Sequence, residues 1–217
     1  MTGIRHALSS MTISSRRSRR ALLVGLLAST TLSLGCSVLG PRPDTSRYFL
    51  LRSLAEPSSS PLSDLVIGLG PVTLPDYLDG YEMLELVGPY ELRYSTENRW
   101  VEPLGVQIRR TLSENIQSLT RPDALVLHPW FSTDGVGLQV EVAFDAIERD
   151  AAGVWRGSAE WVIRDPATKV PLERSDFSFQ VGQDSISPDR LAEGISSELE
   201  RMSVEIAAAV RRQYPVG

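Results

Sequence analysis

Two stretches of the chain carry an unbroken helical period, and they limit the kind of fold open to it. In residues 99–119, Val101, Leu104, Ile108, Leu112, Ile116 and Leu119 recur every three or four positions, which puts them on one stripe of an α-helix. Asn98 reads as its cap, Glu102 falls in the first turn where the helix dipole favours an acid, and Pro122 bars continuation. In residues 188–212, Leu191, Ile195, Leu199, Met202, Ile206 and Val210 repeat the pattern, with Ser187 and Pro188 at the N-cap and first helical positions. A striped helix must bury its stripe against another layer.

That layer is legible as segments of period two. Leu138, Val140, Val142 and Phe144 alternate with Gln139, Glu141 and Asp145. Trp155, Ala159, Trp161 and Ile163 alternate with Arg156, Ser158 and Glu160, and Phe177, Phe179 and Val181 with Ser178 and Gln180. Turns at 150–153 and 165–168 join them into an antiparallel meander with one buried face. Shorter strands are expected at 48–51, 65–72, 82–87, 90–94 and 124–128, with a Ser/Pro loop at 53–63, a turn at 75–80 and Gly88-Pro89 as a second turn. Gly68 and Gly70 mark a bulge or a close backbone approach. The fold class expected is α+β: a mainly antiparallel sheet with two long amphipathic helices packed on one side, in a single domain over residues 47–213.

The N-terminus reads differently. Arg16, Arg17, Arg19 and Arg20 precede an apolar stretch from Ala21 to Leu34, followed by Gly35 and Cys36. This is the charged, apolar and small-residue order of a secretory signal, assigned to residues 1–35. The stretch is too short and too diluted by serine and threonine to span a bilayer comfortably. Leu32-Ser33-Leu34-Gly35-Cys36 resembles a bacterial lipobox, with Ser33 where the usual pattern has leucine. The resemblance implies a diacylglyceryl group on the Cys36 thiol, cleavage before Cys36 and acylation of the new amine. Covalent acyl chains on Cys36 would then anchor the protein, and no other cofactor is expected. The alternative is a plain secretory signal whose cleavage site abuts a cysteine. Ser37, not Asp, follows Cys36, which by resemblance to Gram-negative lipoprotein sorting rules favours export to the outer membrane. Residues 36–46 form the lipidated cysteine and a Gly/Pro-rich tether.

Composition removes several functions. From residue 36 onward 17 basic residues face 27 acidic ones, a net charge of −10, which does not suit a nucleic-acid binder. One cysteine and two histidines, His6 and His128, exclude an intrachain disulfide and the usual structural zinc sets. No nucleophile elbow, H-E-x-x-H, P-loop or dinucleotide fingerprint is present. Acidic pairs such as Glu82 with Glu85, or Asp145 with Glu148, read as solvated faces. No catalytic residue and no metal site is assigned, and the chain is not expected to be an enzyme.

Three segments together carry a resemblance. Arg47-Tyr48-Phe49-Leu50-Leu51 follows the tether. Residues 67–79 read IGLGPVTLPDYLD, and residues 98–104 read NRWVEPL. In this order they resemble the ABC-type transport auxiliary lipoprotein family, whose best-known branch is the paraquat-inducible protein C (PqiC) group. The resemblance spans about residues 36–212, and its distinctive motifs lie between 47 and 104. It implies an outer-membrane lipoprotein on the periplasmic face that works with an MCE-domain tunnel protein and its inner-membrane transporter in lipid traffic and envelope integrity, without catalysis of its own. Pro75, Tyr77, Leu78 and Trp100 are the candidate residues for docking or for homo-oligomer formation, since a Pro-rich turn carrying aromatics suits an interface anchor; the alternative is packing at the start of the first helix. Two other functions compete: a lipoprotein that itself holds a lipid or hydrophobic ligand in a groove, which the polar outer face of the meander disfavours, and a hydrolase using His128.

Overall fold

A computed structural model describes residues 44–88, 90–132, 135–150, 153–182 and 187–215. The signal, Cys36 and most of the tether lie outside them, as does Pro89 of the second turn. Five strands form the larger sheet: β2 (Leu62–Thr73), β5 (Pro122–Leu127), β6 (Leu138–Arg149), β7 (Trp155–Arg164) and β8 (Pro171–Val181), in the order β5-β2-β6-β7-β8. A smaller sheet has the order β1-β4-β3, built from β1 (Arg47–Phe49), β3 (Glu82–Gly88) and β4 (Glu91–Trp100). The helices are α1 (Leu104–Thr120) and α2 (Pro188–Gln213).

The α+β class is as the sequence suggests, and both sheets are mixed. β6, β7 and β8 form the antiparallel meander and β3 pairs antiparallel with β4. β2, however, runs parallel to both β5 and β6, and β1 runs parallel to β4. The reason lies in the connections. The chain leaves β2, builds the small sheet and α1, and returns to the same edge in β5; such a crossover delivers a parallel strand. The following loop then carries the chain across β2 to its other side, with Trp130 packed over Gly68. The expected bulge is at Gly70, which has φ 121° and sits where the β2–β6 register shifts between Leu69 and Val72.

The meander buries the side chains its alternation selects, among them Val140, Val142, Phe144, Trp161, Ile163, Phe177 and Phe179. One irregularity escapes the alternation. Phe144 pairs with Ala159 and Ala146 with Ser158, so Asp145 is the extra residue of a β-bulge. Beyond it the inward positions shift, and Ile147 enters the core. On the same side of the larger sheet lie Ile108, Leu112 and Ile116 of α1, over β2 and β5, and Ile195, Leu199, Met202, Ile206 and Val210 of α2, over β7 and β8, all buried.

The start of α1 differs from expectation. Trp100 ends β4, Pro103 is the N-cap, and the first turn contains no acid. Asn98 lies in β4, where its N–H and its side-chain amide donate to Ser95 Oγ at 3.1 and 3.2 Å. Val101 and Glu102 precede the helix. Proline explains the shift, because it is accepted at a helix start and its fixed φ and missing N–H disfavour any position further inside. α2 begins as expected, with Ser187 as N-cap and Pro188 first.

The Ser/Pro segment before β2 is an ordered strap across the helices. Leu51 N–H donates to Gln107 Oε1 at 2.8 Å, and Arg110 donates to the Leu51 carbonyl. Arg52 N–H donates to Ser196 Oγ of α2. Asn115 Oδ1 accepts from Ser53 Oγ and from the N–H groups of Leu54 and Ala55, at 2.7 to 3.2 Å. Farther on, Arg211 donates to the carbonyls of Ser60 and Leu119. α1 therefore carries two stripes: an apolar one toward the sheet, and a buried polar one of Gln107, Thr111 and Asn115, two of whose members hold the strap.

Candidate docking surface

The turn after β2 is built from its own backbone. Leu78 N–H donates to the Pro75 carbonyl at 2.9 Å, Asp79 N–H to Asp76 at 3.3 Å and Gly80 N–H to Leu78 at 2.9 Å. This tight fold carries Asp79 and Gly80 back onto the exposed N-terminus of α1. The Gly80 carbonyl accepts from Leu104 N–H at 3.1 Å, and Asp79 Oδ1 accepts from Gly105 N–H at 3.2 Å. Asp79 thus satisfies an orphan helix donor from 26 residues upstream. Gly105 has no Cβ for a reason: one placed there would meet Asp79 Oδ1 at 2.8 Å.

The ends of β1 and β4 are tied to the same place. Trp100 N–H donates to the Tyr81 carbonyl at 2.6 Å and Val101 N–H to Phe49 at 3.0 Å. Gln107 Nε2 donates to the Glu102 carbonyl while its oxygen holds Leu51. The three sequence motifs are therefore parts of one knot: the first strand, the turn and the helix start cross-link one another.

The four candidate interface residues divide between its surface and its floor. Trp100 is 3% exposed and Leu78 5% exposed; with Met83, Leu84, Leu104 and Trp155 they line an apolar cavity of about 20 Å³. Pro75 and Tyr77 are half-buried above. The Tyr77 hydroxyl donates to Glu148 Oε1 at 2.6 Å, and the Tyr94 hydroxyl donates to the Tyr77 carbonyl at 3.4 Å. Partial burial, reinforced by the neighbouring Glu148 carboxylate, pushes the Tyr77 phenol up to about 12. The phenol is consequently a fixed neutral donor at any physiological pH.

The other singled-out residues lie elsewhere. Glu82 is paired with Arg99, whose guanidinium holds its carboxyl below the usual range, while Glu85 sits opposite Arg93 across β3–β4. Glu148 is engaged by Tyr77, and Asp145 is the bulge residue. His128 is exposed at the end of β5, its N–H on the Leu69 carbonyl and its ring edge-on to Trp130 at 5.3 Å. Among the described residues no group of three or more His, Cys, Asp or Glu is placed to hold a metal ion, and no helix is long and apolar enough to cross a membrane. Asp79 is marked by the sequence only as part of the turn and its motif, and Gly105, Gln107 and Asn115 carry no motif. The spacing of four between Gln107, Thr111 and Asn115, beside the apolar stripe, was the available signal for the last pair.

The model of the family described as "ABC-type transport auxiliary lipoprotein component" matches residues 48–207. No curated protein matches. Among solved structures, an uncharacterized protein is similar with a TM-score of 0.59 and 20% identity over 76% of this chain and 98% of its own. Protein XCC0632 from Xanthomonas campestris is similar with a TM-score of 0.59 and 13% identity, over 76% of this chain and 94% of its own. At these identities the two structures show a shared fold.

Proposed function

The chain belongs to the ABC-type transport auxiliary lipoprotein component family, and from that premise we propose that it is the non-catalytic, lipid-anchored auxiliary subunit of an MCE/ABC-type intermembrane lipid transport system, contributing to envelope integrity. Cys36 carries the acyl chains, residues 37–46 are the tether, and the body from residue 47 to 213 faces the periplasm from the outer membrane. Energy for transport comes from the inner-membrane transporter, and the tunnel is supplied by the MCE-domain protein. The body docks to that assembly through the knot around the 75–81 turn. Tether and docking reinforce each other, since confinement near the bilayer raises the local concentration of a weak binding surface.

The observation that carries this reading is the family match across residues 48–207. Its supporting geometry is the convergence of the chain's distinctive motifs on one cross-linked surface, with Pro75 and Tyr77 outside and Leu78 and Trp100 beneath. The apolar cavity under that surface, at about 20 Å³, has room for about one water, which favours docking over lipid storage there. The test is affinity purification of tagged full-length protein from detergent-solubilised envelope. Co-purification of an MCE-domain protein and its membrane transporter is expected. Recovery of neither, under conditions that keep the tagged protein folded, would overturn the assignment.

A further inference from the structure

The β3–β4 hairpin reaches beyond the core. Tyr90 is 101% exposed, and Val87, Leu92 and Tyr94 are between 41 and 53% exposed. On the adjoining β1, Tyr48 is 57% exposed. Five of the chain's six tyrosines fall between residues 48 and 94, so the aromatic hydroxyls are concentrated on this sheet and the turn beside it. Groups of exposed apolar side chains of this kind mark contact surfaces.

We propose that this hairpin seats in the headgroup region of the bilayer that holds the anchor. The inference rests on the acylated Cys36 of the proposed function. The chain itself argues for a bilayer as the occupant. Ten residues, 37–46, join Cys36 to β1, and fully extended they span about 35 Å. Tyr48 of β1 pairs with Arg99 of β4, and Arg99 with Glu82 of β3. From Glu82 to Gly88 is six residues of strand, about 20 Å at about 3.3 Å per residue. The hairpin tip is thus nearer to the root of the tether than the tether is long. A body leashed at β1 can bring the hairpin tip to the membrane within that reach.

The chemistry matches the depth. Tyrosine collects at membrane–water interfaces, where its ring meets the acyl boundary and its hydroxyl stays with the headgroups. Glu85 and Arg93 oppose each other across the hairpin, and Glu91 is the one charged residue of residues 87–92. That single charge keeps the hairpin shallow. Contact at the headgroup level would set the tilt of the body and so present the 75–81 turn in a defined orientation to the transport assembly.

The test uses full-length acylated protein with Tyr90→Cys, in which acylation has consumed the Cys36 thiol and leaves position 90 open to an environment-sensitive fluorophore. Tyr90 is fully exposed, so the change leaves the core intact. The labelled protein is reconstituted into vesicles of phosphatidylethanolamine and phosphatidylglycerol, with and without brominated acyl chains. A blue-shifted emission that brominated lipid quenches is expected at position 90, and neither effect at Asp123→Cys, which is exposed at the start of β5, where the strand pairs with the opposite end of β2. Equal, unquenched, water-like emission at both positions would overturn the proposal. Shielding of position 90 that appears only when solubilised envelope proteins are added would assign the hairpin to a protein partner and overturn it as well. An intact mass of the same sample showing unmodified Cys36 would contradict the anchor itself, a failure distinct from the other two.

Discussion

The Asp79 carboxylate accepts the backbone N–H of Gly105 at 3.2 Å, so the turn that follows the long strand β2 caps the helix that follows the small sheet. Asp79 ends one motif and Gly105 directly follows another, and neither has a local reason to be what it is. Asp79→Ala removes a side-chain cap and is expected to cost about 1 kcal/mol. Gly105→Ala places a Cβ against the same carboxylate and is also destabilising. Urea denaturation of both single variants and the double variant checks the coupling: Gly105→Ala should cost less in the Asp79→Ala background than in the natural one. Strict additivity would contradict the contact.

Asn115 holds the strap with one oxygen that accepts three hydrogen bonds. Asn115→Ala should destabilise the protein by about 1 kcal/mol or more, because three part-buried donors of the strap lose their partner. Limited proteolysis adds a local readout. Cleavage within residues 53–61 should accelerate more than cleavage elsewhere, since this segment lacks the ladder bonds that protect the strands.

Trp100 and Tyr77 separate packing from docking. Trp100→Ala removes a buried indole and is expected to cost about 3–5 kcal/mol, so loss of partner recovery would come with unfolding. Tyr77→Ala strips a half-buried ring from the surface and loses its bond to Glu148. It should reduce co-purification of the transport assembly by a larger factor than it reduces the folded fraction. Equal recovery with Tyr77→Ala and the natural chain would remove Tyr77 from the docking surface.

Alkali gives a fourth handle. The Tyr77 phenol is raised to about 12, by burial first and then by Glu148, while in the unfolded chain it titrates near 10. The folded state therefore holds this proton more tightly. The associated stability is fully present below about pH 10 and is lost as pH rises toward 12. Chemical denaturation across this window should show stability falling with pH, and Tyr77→Phe should flatten part of that fall.

Much of the architecture was legible because it rests on local period. Leu191, Ile195, Leu199, Met202, Ile206 and Val210 are all buried on α2, and the alternations in β6, β7 and β8 point inward as their pattern implies. Strand direction was not legible, because whether β5 and β6 run with or against β2 depends on crossovers that no window of sequence contains. The apolar spacing puts the first turn of α1 three residues early, because Val101 continues it, while Pro103 marks the true boundary. The strap has the sequence of a loop because its hydrogen-bond partners, Gln107, Asn115 and Ser196, lie 56 to 144 residues away. The four candidate interface residues do meet in one place, but the sequence could not say which would be floor and which surface. Alternation cannot decide this in a turn, where direction is set by the backbone bonds among Pro75, Asp76, Leu78 and Asp79.

The central claim is that this body works on the end of a lipid anchor at Cys36, and the intact mass of the mature protein from its native envelope tests it most directly. The account predicts a chain that begins at Cys36 and carries a diacylglyceryl group and an amide-linked acyl chain, with Cys36→Ser released from membranes. A mature chain with a free thiol at Cys36, or one that stays on membranes after Cys36→Ser, would contradict it.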